Sequence, residues 1–379
     1  MSFLFYDVVP TNIVRFYSEV IYELRKSSKD DFHFLFEHDD KNNIDYVRSA
    51  YKFAKNIDYC QWKSVDWFKN YFIQNNIKVL FINGQRIADD RVVLAAKTLG
   101  IKTYMIQHGM YIPFMKRDIQ FFSSKIKKTF SFLFYAYDIS RKQNNIAIIY
   151  KYFMSYVIGI NQVRLKIDRR LLNVDTVFVY SDYWKGFHKK QFGYSEENQV
   201  VVGTPDLADL PQFLEQDIHK DTVCYIAQTL VEDGRLKKEV QLEFYKKLVD
   251  ATELLEQKLL VKLHPRNDKS LFNYSKNKLH VSLILDYLPK SEFYIGHYST
   301  LLSKGLSVPQ AKVFIYEYFN HPTPDYFEMC SDAVIRDVNE LVGFLSGDRA
   351  TRVEKEDIHN VFCPGINYSE KIVSLIKTS

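Results

Sequence analysis

Apolar runs alternate with amphipathic stretches along the chain, most clearly between residues 77 and 109. The run IKVLFING (77–84) has the composition of a buried strand and ends at a glycine. The stretch RIADDRVVLAAKTLG (86–100) has helical spacing and is stopped by Gly100, and IKTYMIQHG (101–109) has the pattern of a second strand. These segments predict one β-α-β unit, which implies a parallel pair of strands.

The same alternation continues to the carboxyl terminus. Helices are predicted at residues 236–255 and, as a short amphipathic helix, at 369–377. Strands are predicted at DTVFVYS (175–181), NQVVVGTP (198–205), TVCYIA (222–227), KLLVKL (258–263), SEFYIG (291–296) and AKVFIY (311–316). Such alternation is typical of mainly parallel sheets covered on both faces. The sequence therefore predicts an α/β fold class with doubly wound, Rossmann-like domains.

One stretch interrupts this series and is predicted to divide the chain. Residues 206–221, DLADLPQFLEQDIHKD, are acidic, contain Pro211 and have weak strand character. We therefore predict an amino-terminal domain over residues 1–205, a linker over 206–221, and a carboxyl-terminal domain over 222–379 that includes the terminal helix. The two domains are expected to face a cleft.

Composition narrows the classes of function. The 379 residues are enough for two domains that each bury a core. The scattered cysteines Cys60, Cys224, Cys330 and Cys363 form no C-x-x-C pair and no cluster with histidine, so neither a disulfide framework nor a zinc site is predicted. The amino terminus lacks the basic region of a signal peptide, and no apolar run approaches the roughly 20 residues that cross a bilayer. We expect a cytoplasmic protein, soluble or peripheral on the inner face of the membrane.

Basic residues are unevenly distributed, although the formal net charge is only +5. Residues 115–170 carry twelve lysines and arginines against three aspartates, and the part FFSSKIKKTFSFLFYAYDISRK interleaves lysines with aromatic residues. Helices of this composition bind anionic membrane surfaces. The alternative is a helix packed on its own domain with solvated lysines. No nucleic-acid motif accompanies the charge, so we predict no nucleic-acid partner.

Three predicted strands of the carboxyl-terminal domain end in polar residues suited to one anionic ligand. The first is followed by Gln228 to Gly234, which includes Glu232 and Asp233. The second leads into His264, where Pro265 prevents the strand from continuing. The third leads into Gly296, Ser299 and Thr300, at a predicted helix start whose hydroxyl and free N–H groups form a phosphate site without a metal. Because carboxyl ends of parallel strands meet at one edge, we expect these groups to lie together.

Each motif also has a structural interpretation. Adjacent carboxylates at a helix start are stabilised by the helix dipole, a histidine at a strand end is commonly a hydrogen-bonding residue, and Ser-Thr before a helix is commonly an N-cap. The combination of carboxylates, an imidazole and hydroxyls at strand ends of one sheet favours a functional site.

The string YIAQTLVEDGRLKKEVQLEFYKKL, followed by LLVKLHPRND and YIGHYSTLL, resembles the bacterial sialyltransferases, in particular the lipooligosaccharide sialyltransferases and the capsular polysialyltransferases. Those enzymes share an acidic-acidic-glycine motif, a His-Pro motif and a serine-containing motif on a GT-B fold. The resemblance covers residues 222–305. The third motif here is Ser299-Thr300, where a pair of serines is common in the family.

The resemblance implies an inverting enzyme that moves sialic acid or a related nonulosonic acid from a CMP donor to a cell-surface glycan such as lipooligosaccharide, O-antigen or capsule, including a lipid-linked one. It implies no metal and no cofactor, with the acceptor bound by the amino-terminal domain and the nucleotide sugar bound by the carboxyl-terminal domain. Asp233, or Glu232, would be the general base. His264 would hold the CMP phosphate and protonate it as it leaves, and Ser299 and Thr300 would bind that phosphate.

The remaining donor-binding candidates lie beside these motifs. Gln228 and Gly234 flank the acidic pair, and Pro265 and Gly296 shape two of the strand ends. Lys262 and Arg266 are close to His264 in sequence, and strand alternation predicts Lys262 on the same face as His264, while the direction of Arg266 is left open. No Asp-x-Asp occurs in the chain, which removes the usual metal-diphosphate anchor of the other large glycosyltransferase class.

Two alternatives remain open. His108 ends a predicted strand of the first domain, and MIQHGMY resembles the His-Gly element of the CDP-glycerol glycerophosphotransferases. In that interpretation His108 is the base and the donor is CDP-glycerol. A strand-end histidine with satisfied hydrogen bonds is the structural alternative for this residue. The second alternative function is a non-catalytic surface-polysaccharide assembly factor that keeps the fold.

Overall fold

A computed structural model describes residues 1–27, 30–37, 41–110, 126–274, 280–318, 322–349, 357–363 and 367–378. The chain forms two compact domains. The first comprises Met1–His108, Phe114–Pro205 and Ile366–Ser379, and the second comprises Gly109–Pro113 and Asp206–Gly365.

The first domain is built on a parallel sheet of seven strands. They are β1 (Ser2–Asp7), β2 (Asp31–Phe36), β3 (Asn56–Tyr59), β4 (Val79–Ile82), β5 (Lys102–Ile106), β6 (Thr176–Val179) and β7 (Gln199–Val201). Their order in the sheet is β3-β2-β1-β4-β5-β6-β7, and every described pairing is parallel. The order reverses between β1 and β4, which is the topological switch point where open α/β sheets bind ligands.

The described helices of this domain connect and cover its strands. They are α1 (Pro10–Ser27), α2 (Lys41–Ala50), α3 (Val65–Gln74), α4 (Ile87–Thr98), α5 (Ile126–Lys142), α6 (Ala147–Ile158) and α7 (Asp182–Phe192). Helix α6 ends at Gly159 and α7 at Gly193, both left-handed with φ of 76° and 75°. Glycine adopts that conformation without a Cβ clash, which is why both helices stop there.

Aromatic rings run across one face of the first sheet. Phe5 on β1 stacks on Phe81 of β4 with ring centroids 4.9 Å apart, and Phe81 lies 5.4 Å from Tyr104 of β5. Tyr104 in turn lies 5.7 Å from Phe178 of β6. All four rings are buried, and offset stacking of this kind adds about 0.5–1.5 kcal/mol per pair to the burial of apolar area. The ladder binds four neighbouring strands into one layer.

The carboxyl-terminal helix packs on the first domain, not on the second as the sequence predicted. Helix α14 (Tyr368–Thr378) places Ile372, Val373 and Ile376 in the same buried cluster as Phe16 of α1. The amphipathic pattern correctly predicted a helix with one apolar face, but that pattern does not specify which domain covers the face. The assignment of residues 222–379 to one domain is therefore wrong at its end.

The second domain is built on a parallel sheet of six strands. They are β8 (His219–Ile226), β9 (Lys258–Lys262), β10 (Val281–Ile284), β11 (Ser291–Gly296), β12 (Lys312–Tyr316) and β13 (Ala333–Ile335), in the order β10-β9-β8-β11-β12-β13. Its helices are α8 (Leu210–Glu215), α9 (Lys238–Leu254), α10 (Leu302–Leu306), α11 (Asp325–Cys330), α12 (Leu341–Leu345) and α13 (Asp357–Phe362). Four short 3₁₀ helices complete the described elements of the chain, at Glu196–Asn198, Pro205–Leu207, Lys269–Phe272 and Val338–Glu340.

The predicted linker 206–221 is structured and belongs to the second domain. It contains α8 and the first three residues of β8, and Lys304 of α10 forms an ion pair with Asp209 at 2.6 Å. Pro211 lies in the first turn of α8, where its missing N–H has no helical partner to lose. Proline and acidic residues therefore mark a helix start in this segment.

Helix α10 lies so close to β11 that only glycine fits between them. A Cβ at Gly305 would lie 2.7 Å from Cδ2 of Tyr294. The Tyr294 ring is fully buried, and its hydroxyl donates a hydrogen bond to the Pro289 carbonyl at 2.8 Å, so the ring has no room to move.

We expect Gly305→Ala to lower the free energy of unfolding by about 1–3 kcal/mol, because the methyl group must displace a fixed aromatic ring. Gly186→Ala is the matched control, since Gly186 lies inside α7 with nothing within 4 Å of an added Cβ. That change should raise stability by roughly 0.5–1 kcal/mol through helix propensity. Urea unfolding of both variants measures the difference, and equal midpoints would contradict the close packing at Gly305.

Candidate functional site

The acidic pair lies in a single tight turn that follows β8. The N–H of Asp233 donates to the carbonyl of Thr229 at 2.9 Å, and the N–H of Arg235 donates to the carbonyl of Leu230 at 2.8 Å. Gly234 closes the turn in the left-handed region with φ of 68°. A side chain at that position would strain the backbone, so the glycine of the motif is required by the turn itself.

The turn separates the two carboxylates from the helix that follows. Helix α9 begins at Lys238, and Glu239 is the acidic residue of its first turn. Glu232 and Asp233 therefore lie before the helix, outside its first turn, where the effect of the helix dipole is concentrated. The interpretation of these residues as helix-start charges is wrong.

Asp233 is held by two side-chain donors from different loops. Its Oδ1 accepts a hydrogen bond from Nη1 of Arg266 at 3.0 Å, and its Oδ2 accepts one from the Thr229 hydroxyl at 2.9 Å. Nη2 of Arg266 also donates to the Thr229 hydroxyl at 3.1 Å. Burial raises the pKa of Asp233, but the hydrogen bonds and positive charge of Arg266 outweigh it, so the pKa lies below its usual range.

Glu232 has a different set of partners. Its Oε1 accepts hydrogen bonds from the backbone N–H of Asp268 at 2.7 Å and from the side-chain amide of Asn267 at 3.2 Å. The Asn267 amide also donates to the carbonyl of Gln228 at 3.2 Å. The two adjacent carboxylates therefore join the turn after β8 to the loop after β9 at separate points.

The loop after β9 fixes the ring of His264. Its backbone N–H donates to Oδ1 of Asn267 at 2.7 Å, and its Nδ1 accepts a hydrogen bond from the backbone N–H of Arg266 at 3.1 Å. Because Nδ1 is an acceptor, the proton of the neutral ring lies on Nε2. His264 is half-buried, so its ring is oriented by the backbone while part of it remains exposed.

The loop after β11 joins the same group through Gln228. The side-chain oxygen of Gln228 accepts a hydrogen bond from the backbone N–H of Tyr298 at 3.0 Å. Gln228 therefore contacts both other loops, one through its carbonyl and one through its side chain. The prediction that three strand ends lie together in this sheet agrees with these contacts.

The third motif differs in detail from its prediction. Helix α10 has only five residues and begins at Leu302, so Ser299 and Thr300 lie in the turn before it and do not cap it. The Ser299 hydroxyl accepts a weak hydrogen bond from the N–H of Leu301 at 3.3 Å, and the Thr300 carbonyl accepts one from the Ser303 hydroxyl at 2.6 Å. The two hydroxyls therefore do not cap a regular helix, and phosphate binding by Ser299 and Thr300 remains a prediction.

Two predicted donor-binding residues have structural partners. The ammonium of Lys262 donates to the carbonyls of Leu263 at 3.0 Å and Leu285 at 2.7 Å, so it is directed toward β10 and not toward a phosphate beside His264. Burial lowers the pKa of Lys262.

At Gly296, an added Cβ would lie 3.0 Å from the Leu302 side chain, so this glycine accommodates the protein's own packing. Pro265 lies in an exposed turn.

The neighbouring His297 is a structural histidine. It is buried, its Nδ1 bonds to the Tyr316 carbonyl at 2.9 Å, and its Nε2 bonds to the Tyr225 hydroxyl at 3.2 Å. A carbonyl only accepts, so Nδ1 carries the proton and the tyrosine donates to Nε2. Both nitrogens are used within the core of the second domain.

Sequence reasoning missed Thr229 and Asn267, which both take part in the contacts between the loops. Thr229 bonds to Asp233 and Arg266, and Asn267 bonds to His264, Gln228 and Glu232. Thr229 lies one helical turn before Asp233, and Asn267 follows His264 by three residues. Small polar residues at those offsets commonly form local turn hydrogen bonds, and their spacing is the signal in the sequence that indicates this role.

His108 lies at the carboxyl edge of the first sheet. Its Nδ1 is 3.2 Å from the side-chain nitrogen of Asn83, whose oxygen accepts a hydrogen bond from Nη2 of Arg86 at 3.1 Å. Arg86 thus fixes the orientation of the amide, so Asn83 donates to Nδ1 and the proton of neutral His108 lies on Nε2. A general base needs a free lone pair directed at its substrate, and this tautomer places a proton at Nε2.

The described part of the chain contains no group of three or more His, Cys, Asp or Glu side chains placed to bind a metal ion. In the same part, no helix combines the length and the apolar character that crossing a membrane requires. Metal independence remains a prediction.

Solved structures share this two-domain architecture. UDP-GlcNAc 2-epimerases from Neisseria meningitidis and Methanocaldococcus jannaschii are each 13% identical to the chain, with 100% of both chains covered and a TM-score of 0.58. The enzyme from Rickettsia bellii is 9% identical over 100% of this chain and 96% of its own, also with a TM-score of 0.58. At such low identity the likeness shows the fold alone, and it confirms the predicted GT-B class with two Rossmann-like domains.

Sequence comparison identifies the family. No curated protein gives a significant match. The model of the alpha-2,8-polysialyltransferase family matches residues 22–288, which is more than half of the chain and includes the turn with Asp233 and the loop with His264. The chain therefore belongs to the alpha-2,8-polysialyltransferase family, and it is a glycosyltransferase.

Proposed function

We propose that the protein is an inverting, metal-independent glycosyltransferase that moves sialic acid or a related nonulosonic acid from a CMP donor to a cell-surface glycan. The observation that carries this proposal is the joining of three loops at one edge of the second sheet. There a carboxylate, an oriented imidazole and an arginine are linked through Thr229, Asn267 and Gln228. Family membership supports a sugar-nucleotide donor and a glycan acceptor.

The leaving group is stabilised by the loop after β9. Breaking the bond between the anomeric carbon and the phosphate oxygen leaves the electron pair on CMP, and hydrogen-bond donors must meet that charge as it develops. His264 carries its proton on Nε2, and the Arg266 side chain is 61% exposed despite its ion pair with Asp233. Both groups are donors, and both are held by the backbone or a carboxylate, so little reorganisation is needed.

Asp233 is proposed as the general base. Its lowered pKa keeps it ionised at neutral pH, and each carboxylate oxygen can accept a hydrogen bond from an acceptor hydroxyl in addition to the one it already accepts. As the acceptor oxygen bonds to the anomeric carbon, its O–H bond breaks and the proton passes to Asp233. Because a low pKa makes the carboxylate a weak base, the transfer must occur in the transition state, when the hydroxyl has become acidic.

The glycerophosphotransferase alternative is less well supported. It requires His108 as a base, but the amide of Asn83 donates to Nδ1 and leaves the ring proton on Nε2. An assembly factor without turnover has no specific observation in its favour, since the two carboxylates, His264 and Arg266 are all present.

An exposed apolar surface supports the proposed attachment to a membrane. Helix α6 has one charged residue, Lys151, in twelve, yet only Ile148 and Tyr152 are buried. Ile146, Tyr150 and Phe153 are 75%, 64% and 43% exposed. Of the 21 large apolar side chains exposed in the described residues, nine lie between 130 and 171. Apolar patches of this kind mark sites of interaction.

Charge indicates what this surface binds. Residues 141–170 contain seven lysines and arginines and one acidic residue, Asp168. Arg141, Lys142, Arg169 and Arg170 pair with carboxylates of the protein, so Lys151, Arg164 and Lys166 are the basic residues proposed for lipid contact. An exposed apolar helix with such lysines and arginines close to it in sequence suits an anionic lipid surface, which would bring the enzyme to a lipid-linked acceptor. The amino-terminal part of the predicted basic segment, residues 115–125, lies outside the described residues.

A donor screen tests the proposed reaction. With a mixed glycan acceptor and EDTA present, we expect CMP release from CMP-sialic acid and none from CDP-glycerol. Full inhibition by EDTA that magnesium or manganese reverses would contradict the metal-free mechanism. Release from CDP-glycerol alone would favour the glycerophosphotransferase, and release from neither would favour the assembly factor.

Replacement of Asp233 tests the base. We expect Asp233→Asn to keep its fold, because the amide still reaches Thr229, and to lose about 10²- to 10⁴-fold in kcat, because an amide does not take a proton. Glu232→Gln is the matched control and should lose less, since Glu232 serves as a hydrogen-bond acceptor between loops. A larger loss in Glu232→Gln would move the base to that residue.

Vesicle sedimentation tests the membrane surface. We expect the wild type to bind vesicles of phosphatidylcholine and phosphatidylglycerol at low salt and to dissociate as salt screens the charge. The triple variant Ile146→Ser, Tyr150→Ser, Phe153→Ser should bind at least about tenfold more weakly, since each lost side chain contributes of order 1 kcal/mol or more when buried. The control Ile73→Ser, Leu254→Ser removes side chains that are 65% and 72% exposed elsewhere. Equal binding of the triple variant and the wild type would exclude this surface.

A further inference from the structure

A second polar site lies at the topological switch point of the first domain. Strand β1 ends at Asp7, and α1 begins three residues later at Pro10. The Asp7 carboxylate is fully buried, and its Oδ1 accepts hydrogen bonds from the N–H of Val9 and from the side-chain amide of Asn12, both at 2.9 Å. Its other oxygen, Oδ2, is buried and has no hydrogen-bond partner among the described residues.

The positive charge of Arg86, which lies beside Asp7, is already matched by Asp89. Arg86, after β4, donates to Asp89 twice, from Nε at 2.7 Å and from Nη2 at 2.9 Å, and its Nη1 lies 3.6 Å from Oδ1 of Asp7. A side chain at Gly84 would come within 3.2 Å of both Arg86 and Asp89, so the glycine leaves room for this pair. Asp89 neutralises the arginine, and Asp7 adds one unmatched negative charge.

A second buried group at this position lacks a partner. Tyr17 of α1 is fully buried, and its hydroxyl makes no hydrogen bond within the described residues. The Tyr17 ring packs on Phe5 with ring centroids 5.2 Å apart, and Phe5 precedes Asp7 by two residues on β1, so all three lie on one face of the sheet. Burial raises the pKa of the Tyr17 hydroxyl, and the negative charge of Asp7 raises it further. A buried hydrogen-bonding group without a partner costs free energy. The presence of two such groups together, the acceptor Oδ2 of Asp7 and the donor hydroxyl of Tyr17, indicates a ligand group that forms a hydrogen bond with each.

A hydroxyl group is the ligand chemistry that fits. It donates one hydrogen bond, which Asp7 Oδ2 accepts, and it accepts another, which the Tyr17 hydroxyl donates. An anion is disfavoured by the excess negative charge of Asp7 and Asp89 over Arg86. The half-exposed Asn12 and Arg86 lie beside Asp7 and add further polar groups at this position.

We propose that the switch point of the first domain is a sugar-hydroxyl subsite for the acceptor glycan, in which Asp7 accepts and Tyr17 donates a hydrogen bond to one hydroxyl. This inference rests on the proposed function for the identity of the glycan. Asp7 acts in binding and not in chemistry, because the proton of the attacking hydroxyl is assigned to Asp233.

The subsite also predicts how acceptor binding depends on pH. Burial raises the pKa of Asp7 to about 6, with Arg86 opposing that rise. The groups that face it are Arg86 and Asp89 from the α4 side, and Asn12 and Tyr17 from α1. Glu37, after neighbouring β2, is occupied by the hydroxyls of Tyr6 and Tyr135. A ligand hydroxyl stabilises ionised Asp7, so acceptor binding should weaken as pH falls through about 6.

Steady-state kinetics with CMP-sialic acid and sialyllactose test the proposal. In Asp7→Asn the amide oxygen keeps the contacts of Oδ1, and a second donor replaces the free acceptor. We expect KM for sialyllactose to rise about tenfold, with kcat and KM for the donor changed less than about threefold. Tyr17→Phe should raise the same KM by several-fold, and the rise in wild-type KM between about pH 7 and pH 5 should vanish in Asp7→Asn.

The controls separate this inference from the proposed function. Asp31→Asn makes the same chemical change at an exposed position at the start of β2 and should leave KM unchanged. Unchanged KM in Asp7→Asn, or a flat pH profile in the wild type, would mean that a buried water alone fills the position.

If no donor releases CMP, calorimetric titration with sialyllactose replaces kinetics. In that case the transferase proposal fails, but binding of sialyllactose by the wild type, weakened in Asp7→Asn, supports the subsite. A wild type that neither uses nor binds sialyllactose overturns the subsite. If Asp7→Asn does not fold, Tyr17→Phe and the wild-type pH profile decide.

Discussion

Both sheets are parallel and buried on both faces, and this constraint determines where chemistry is possible. All six residues of β1 are buried, and so are nearly all residues of β11. A parallel ladder consumes the backbone hydrogen-bonding groups, and helices on each side leave mainly apolar positions within the strands. Polar side chains with functional roles therefore concentrate at the strand ends. Asp7, Asn83 and His108 lie at the carboxyl edge of one sheet, and Gln228, His264 and Tyr298 lie at that of the other.

The second-domain site is held together by contacts between loops. These contacts fix the relative positions of the side chains and add little to the free energy of unfolding. The ion pair of Arg266 and Asp233 is partly exposed, with 61% and 27% of the side chains accessible, so its own contribution to stability is at most about 1 kcal/mol. The Thr229 hydroxyl forms hydrogen bonds with both Asp233 and Arg266, and this shared partner fixes the guanidinium relative to the carboxylate. Glu232 makes the second connection through Asn267. Adjacent carboxylates thus have separate roles, one in an ion pair and one as an acceptor for backbone and amide donors.

The sequence predicts much of this arrangement because strand ends and breakers are local signals. The strand 291–296 is observed with those bounds, and the three polar loops follow the predicted strands. Lys262 was misplaced because the alternation of a strand does not fix a long side chain at its last residue, where the carbonyls of Leu263 and of Leu285, just after β10, accept its hydrogen bonds. The helix at Ser299 was predicted too early because a hydroxyl pair marks either a cap or a turn. Asp7 gave no signal, since one acidic residue after an apolar run resembles any strand terminus.

Two aspartates, one at the end of β1 and one in the turn that follows β8, illustrate how environment assigns different roles to one residue type. Asp233 has a guanidinium as a hydrogen-bond donor, so its pKa falls despite burial. Asp7 has Arg86 nearby, but that arginine is shared with Asp89, and burial dominates, so its pKa rises to about 6. Asp233 therefore stays ionised across the neutral range. A general base must be ionised before it can take a proton. Asp7 instead changes charge near neutral pH. The strength of its proposed hydrogen bond to a ligand hydroxyl therefore depends on pH. The difference follows from which aspartate each arginine contacts most closely.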